Sequence, residues 1–242
     1  MDAEIISRPI PLAVLTTFHD EPLTVARTLD NIDAHPNVVG YGWAQSGASA
    51  IPAWVSTTRK PGFFLPLSNL AREYDRYELP ARATTRNYAT LFETLRHSVK
   101  MRRMPRPDYV VALTGDTLLK DLSGIYWIIH QMEARPGTVL GVSKSVGGDF
   151  HRADRTLEQI KCGMGGGRSQ HMACSDFQPQ LFVVNFDFVE VGGFCDIPVT
   201  NRWTSEQCLG DAAVWSNGKP AGQYVFSELA YGFNQGVEYH VR

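Results

Sequence analysis

Acids are the residues whose types and spacing could do chemistry here, and the first of them is Asp116. It ends the run Asp108-Tyr-Val-Val-Ala-Leu-Thr-Gly-Asp116. A buried strand followed by Gly and Asp delivers one carboxylate outside the carboxyl end of a sheet, which is where open α/β sheets bind ligands. A carboxylate at that place can hold a divalent cation and, through it, a phosphate. The structural alternative is a helix cap, because Asp is a preferred N-cap residue and the spacing predicts a helix over Leu118 to Met132. Two further acids, Glu206 and Asp211, follow Gly192-Gly193-Phe194. A carboxylate within hydrogen-bond reach of an alcohol can take its proton during attack, and paired glycines permit close approach of backbone to a ligand. If Ser205 to Trp215 is helical, Glu206 falls in its first turn. It could equally complement the helix dipole there, with Thr204 or Ser205 as cap.

The elements that must position these acids alternate between strand and helix. Leu12 to Thr17 reads as a buried strand, and Glu21 to Ile32 as a helix opened by Pro22 with an inner stripe of Val25, Leu29 and Ile32. Val38 to Trp43 returns as a second strand, ending in a loop over Ala44 to Ala50. Residues 51–80 are rich in proline and read as irregular, apart from an apolar piece over Phe63 to Leu67. A helix is expected from Thr84 or Thr85, with Tyr88, Leu91, Phe92, Leu95 and Val99 on one face. Thr138 to Ser143 and Leu181 to Asn185 are the next strands. The glycine-rich stretch from Gly147 to Ser175 lacks the Lys-Ser/Thr ending of a phosphate-binding loop and reads as a loop over a site.

Composition bounds the partners. The chain has 242 residues, 43% of them hydrophobic, and a formal net charge of -2. One domain of the α/β class is expected over residues 1–242, and with that charge nucleic acid is not expected as a partner. Lys100, Arg102, Arg103 and Arg106 read as a solvated helix end. The cysteines Cys162, Cys174, Cys195 and Cys208 form no C-x-x-C pair and fit free thiols, with Cys162, His171 and Cys174 a weaker set of soft metal ligands. The start of the chain lacks a secretory pattern, and no segment reaches membrane-spanning length, so a cytoplasmic location is expected, with peripheral membrane association left open.

Several of these pieces resemble the glycosyltransferase A fold, and particularly the inverting family 2 of nucleotide-sugar glycosyltransferases. Val14-Leu-Thr-Thr-Phe-His-Asp20 resembles that family's first strand and nucleotide loop, and Arg86-Asn87 resembles the pair that opens its later helix. Leu113-Thr-Gly-Asp-Thr-Leu118 is similar to its Asp-x-Asp metal motif, with Asp116 as the second acid and Thr114 where the first usually stands. Val191-Gly-Gly-Phe194 followed by Thr204-Ser-Glu-Gln207 resembles the stretch that carries its base, with Gln207 in place of an Asp.

The resemblance implies a three-layer α/β/α sandwich with a mainly parallel central sheet, Rossmann-related. Residues 1–120 would form a nucleotide-binding half and residues 121–242 an acceptor-binding half. It implies transfer of a sugar from a nucleotide-diphosphate sugar to a hydroxyl of a glycan, lipid-linked or other acceptor, with inversion. Thr16, Thr17, His19, Asp20, Arg82, Arg86, Asn87, Thr114, Gly115 and Asp116 would bind the donor, and Gly192, Gly193 and Trp203 the acceptor. Glu206 is the expected base and Asp211 its rival. Asp116, with His240, would hold Mn²⁺ or Mg²⁺, hard cations that accept one protein carboxylate with water and phosphate oxygens. Trp203 and Trp215 could line an acceptor groove by stacking on sugars, with core the default for tryptophan. A nucleotidyltransferase of related fold would need a basic glycine-rich loop where Thr16-Thr-Phe-His-Asp20 stands. A catalytically silent nucleotide- or glycan-binding module fits Thr114 and Gln207.

Overall fold

A computed structural model describes residues 8–18, 22–46, 51–67, 79–134, 138–142, 180–192, 215–216, 219–220, 223–226 and 236–238, with backbone alone at 22, 46, 67, 79–87, 142 and the described residues among 215–226. The sheet strands are β1 (Leu12–Phe18), β2 (Val38–Ser46), β3 (Gly62–Leu67) and β4 (Tyr109–Thr114). A two-residue strand β5 (Leu118–Leu119) follows, then β6 (Thr138–Val142) and β7 (Leu181–Asn185). Short strands β8 (Trp215–Ser216), β9 (Lys219–Pro220), β10 (Gln223–Phe226) and β11 (Val237–Glu238) complete the set. The helices are α1 (Pro22–Ile32), α2 (Leu79–Lys100), α3 (Ser123–Glu133) and the short α4 (Phe186–Glu190), with a 3-10 turn over Ala53–Thr57. None of the described helices is long and apolar enough to cross a membrane.

Seven strands form one sheet in the order β10-β6-β7-β4-β1-β2-β3. Every pairing is parallel except the two that β7 makes, with β4 and with β6. Alternation along each strand then divides the core between two faces. Leu12, Val14, Tyr109, Val111, Leu113, Leu181 and Val183 pack under α1 and α3. Ala13, Leu15, Val110, Ala112, Phe182 and Val184 pack under α2 and α4. Strands that are apolar at every position must be covered on both sides, so the three-layer sandwich expected from the sequence is what forms.

The stripes of α1 and α2 are buried as their spacing predicts, Val25, Leu29 and Ile32 on one, Tyr88, Leu91, Phe92 and Leu95 on the other. Helix α2 begins at Leu79, earlier than expected, because Pro80 lies in its first turn, where a missing N–H costs no hydrogen bond. The apolar piece at Phe63 to Leu67 is β3, the last strand on its side of the sheet, and Pro66 is tolerated there.

Two readings change: β2 runs on through Ala44 to Ser46, where a loop was expected, and the helix after Asp116 is shorter. Leu118 to Met132 is not one helix: Leu118 and Leu119 are strand β5, paired antiparallel with β11, and α3 starts only at Ser123. The acid that serves its start is Asp121, whose Oδ1 accepts from Ser123 N–H at 2.8 Å. Asp116 is therefore not the cap of that helix.

Around the basic stretch, Arg102, Arg103 and Arg106 are exposed, as expected. Arg106 binds Asp187 and Glu190 of α4 and lies over the Phe186 ring at 5.1 Å. Its hydrogen bond to Glu190, with Asp187 adding to it, raises the guanidinium pKa further.

Gly42 has no room for a side chain: a Cβ there would sit 2.6 Å from Leu15 Cδ2 and also against the Phe63 ring. Gly42→Ala should destabilise the fold by about 1–3 kcal/mol by overpacking, read as a lower urea midpoint. The α1–β2 turn gives a pH dependence. His35 Nδ1 accepts from Asn37 N–H at 3.2 Å, and burial, with Lys60 nearby, holds the imidazole pKa below its ordinary value. Its stabilising effect is present above about pH 6.5 and lost as pH falls through the lower folded value. His35→Gln should flatten the urea midpoint between pH 7 and pH 5, within about those limits.

Candidate functional site

The chain fills one side of β1 with β2 and β3 and then crosses back to place β4 on its other side, so the strand order reverses at β1/β4. That is the switch point at whose carboxyl edge open α/β sheets form a crevice. Thr17 is the register partner of Ala44 on β2 and of Thr114 on β4, and Thr16 of Leu113. Thr16 and Thr17 are buried, Gly115 is buried, and Thr114 and Asp116 are half-buried. Five of the residues expected to bind a donor thus stand on two adjacent strand ends.

The turn that presents Asp116 is tightly specified. Thr117 N–H donates to the Thr114 carbonyl at 3.1 Å, leaving Gly115 and Asp116 at the tip. Thr114 Oγ1 donates to Asp116 Oδ1 at 2.6 Å and lies 3.1 Å from Thr117 Oγ1. Beyond the turn, β5 is gripped from two sides. Helix α1 takes the Leu119 backbone: Leu119 N–H donates to Thr28 Oγ1 at 3.1 Å, and Asn31 Nδ2 donates to Leu119 O at 2.8 Å. From the far end of the sequence, the Gly236 carbonyl accepts from Lys120 N–H at 2.6 Å, and Glu238 pairs with Lys120 at 2.8 Å. That ion pair holds the Glu238 carboxyl below its ordinary range. Gly236 has a φ of 78°, and a Cβ there would run into the Asp121 carboxylate, so glycine is required on both counts.

Helix α2 descends from the carboxyl edge toward β4. Tyr88 meets Phe182 edge to face at 5.1 Å, and Phe182 is the partner of Ala112. Thr114 is about 7 Å further up the strand by strand rise. Arg86 and Arg82 are about 3 and 9 Å further up the helix by helical rise. Arg82, Arg86 and Asn87 thus lie between the start of α2 and the Tyr88 contact; the side chains of these three lie outside the described residues.

Other expected residues stand elsewhere or fall outside the description. Gly192 has a φ of 82° and closes the turn after α4, which sets out from Asn185 at the amino edge, level with Tyr109. The described residues do not bring it to Asp116. His19, Asp20, Gly193, Trp203, Glu206, Asp211 and His240 lie outside the described residues, as do the cysteines and the stretch from Gly147 to Ser175. The pattern of the chain did not single out Thr28, Asn31 and Thr117. Polar residues bordering the apolar stripe of α1 were the available signal for the first two.

For a divalent cation, the donor chemistry fits one that arrives with phosphates. No group of three or more His, Cys, Asp or Glu converges among the described residues. The hard oxygens at the turn are one carboxylate with two hydroxyls behind it, and Mg²⁺-like ions bind through one or two carboxylates plus substrate phosphates.

No family model matches the chain, and no curated protein matches it. Among solved structures it is similar to the galactosyltransferase LgtC in complex with donor and acceptor sugar analogs, at 12% identity and a TM-score of 0.47, over 89% of this chain and 73% of that one. Mouse xyloside xylosyltransferase 1 in its apo form is 9% identical with a TM-score of 0.41, over 90% of this chain and 85% of that one. Glucosyl-3-phosphoglycerate synthase from Mycobacterium tuberculosis, solved with Mn²⁺, uridine diphosphate and glucosyl-3-phosphoglycerate, is 17% identical with a TM-score of 0.39, over 74% and 58%. At this level the fold assignment rests on the sheet order.

Thr28→Val should leave the buried Leu119 N–H without its acceptor, costing about 1–3 kcal/mol. Chemical denaturation gives the cost, and hydrogen exchange should show the Leu119 amide losing protection. A variant with both unchanged would remove α1 from the support of the Asp116 turn.

Proposed function

We propose that the chain is a nucleotide-sugar-dependent glycosyltransferase that moves a sugar to an acceptor hydroxyl with inversion. The observation that carries this reading is the placement of Thr17, Thr114 and Asp116 on adjacent strand ends at the switch point. A diphosphate leaving group gathers negative charge as its bond to the anomeric carbon breaks, and the site must stabilise it. Arg82 and Arg86 would do so from α2, whose N-terminal dipole favours the same anion, with Asn87 donating beside them. Thr16, Thr17, His19 and Asp20 would take base and ribose, with Thr114 and Gly115 beneath them. Asp116 would hold Mn²⁺ or Mg²⁺, which when bound neutralises phosphate charge.

His240 is proposed as a further ligand. In support, β11 pairs Val237 with Leu119 and Glu238 with Leu118, so the chain runs back along β5 toward Asp116. Residues 1–120 then form the nucleotide half and 121–242 the acceptor half. On the acceptor side Glu206 is the proposed base, with Asp211 the rival, and Gly192, Gly193 and Trp203 the proposed contacts. The support is their order in the sequence. Glu206 would accept the alcohol proton as that oxygen attacks the anomeric carbon from the face opposite the departing diphosphate.

Thermal-shift measurements with uridine, guanosine and thymidine diphosphate sugars, with and without Mn²⁺, test the donor side. Asp116→Ala should abolish the metal-dependent part of the shift; an unchanged shift removes the cation assignment. Glu206→Gln should keep donor binding and lower transfer by about 10²–10⁴-fold. A protein stabilised by nucleotide that never releases it from a nucleotide-sugar is instead a silent binding module.

A further inference from the structure

We infer that Thr117 and Thr114 form a one-way chain of hydroxyl hydrogen bonds that orients the Asp116 carboxylate, so that Thr114 is a positioning residue. The inference deepens the proposed function, in that the oriented group is the proposed cation ligand. Proton counting gives the direction. A threonine hydroxyl has one proton and a carboxylate has none to give. With Asp116 as a carboxylate, the 2.6 Å contact uses the Thr114 proton. In the 3.1 Å contact between the two hydroxyls, Thr114 Oγ1 can then only accept, and Thr117 donates.

Burial adds to this. Thr117 is 2% exposed, so its hydroxyl needs a protein partner, and Thr114 Oγ1 supplies it. The two threonines are also tied through the backbone, since Thr117 N–H donates to the Thr114 carbonyl. A chain of hydrogen bonds pointing one way polarises each member toward the acceptor at its end. The residue two before Asp116 thus contributes a proton to the carboxylate's hydrogen bonding where a second acid would contribute only repulsion.

Two measurements on the full chain test this, one of them independent of any cation. Side-chain coupling constants of Asp116 by NMR should report one χ1 rotamer in the native protein and in Thr114→Ser. They should report averaged rotamers in Thr114→Val, with Thr117→Val between. Mn²⁺ affinity in the presence of uridine diphosphate, followed by the EPR signal of free Mn²⁺, should vanish in Asp116→Ala. It should weaken about tenfold in Thr114→Val, an effect of about 1.4 kcal/mol, and recover in Thr114→Ser. A single Asp116 rotamer in Thr114→Val overturns the orienting chain. If Asp116→Ala binds Mn²⁺ like the native protein while Thr114→Val averages the rotamer, the orienting chain stands and the cation assignment falls.

Discussion

The peptide group of Leu119 is the interaction on which the carboxyl-edge geometry depends. Its N–H and C=O are both taken by side chains of α1, Thr28 and Asn31, at a place where the main chain is leaving the sheet. A buried backbone group left unpaired costs as much as a lost hydrogen bond, so the two contacts decide where the chain runs after Asp116. They keep Leu118 and Leu119 extended and delay α3 to Ser123. The result is a short shelf between β4 and α3, with the Thr114–Thr117 turn at one end and the Gly236 contact at the other. Asp116 stands on this shelf because its neighbours on both sides are held.

The two faces of the sheet contribute differently to that edge. On the α1 and α3 face the support is polar and local to β5. On the α2 face it is apolar: Phe182 packs against Tyr88 and Phe92 of α2. The reversed strand β7 is what puts Phe182 beside Ala112, so the one antiparallel strand of the sheet carries the aromatic contact with α2.

Elements whose fate is decided by their own periodicity were legible in the sequence. The strand Leu181 to Asn185 and the stripes of α1 and α2 are as read, because continuous apolar runs and helical spacing report burial directly. The misread segment is instructive for the opposite reason. Leu118, Leu119, Leu122 and Ile125 match a helical repeat, yet the partners that keep the first two extended are Thr28, Asn31 and Gly236, all distant in sequence. A local pattern contains no record of them. At the site, Thr16, Thr17, Thr114 and Asp116 were legible as strand ends. The hydroxyl chain through Thr117 was not, since it depends on the backbone turning back within three residues. For Arg82, Arg86 and Asn87 the helix was legible and its start at Leu79 was not, because the apolar stripe that reveals it begins only at Tyr88.

The pairing of β11 with β5 also has a consequence for biosynthesis. Translation delivers Leu118 and Lys120 long before Gly236, Val237 and Glu238 emerge from the ribosome. Until then the outer flank of the Asp116 shelf lacks its partner, while α1 and the β1–β4 pair are already available. The nascent protein therefore cannot complete this edge until the ribosome has passed the codon for Glu238.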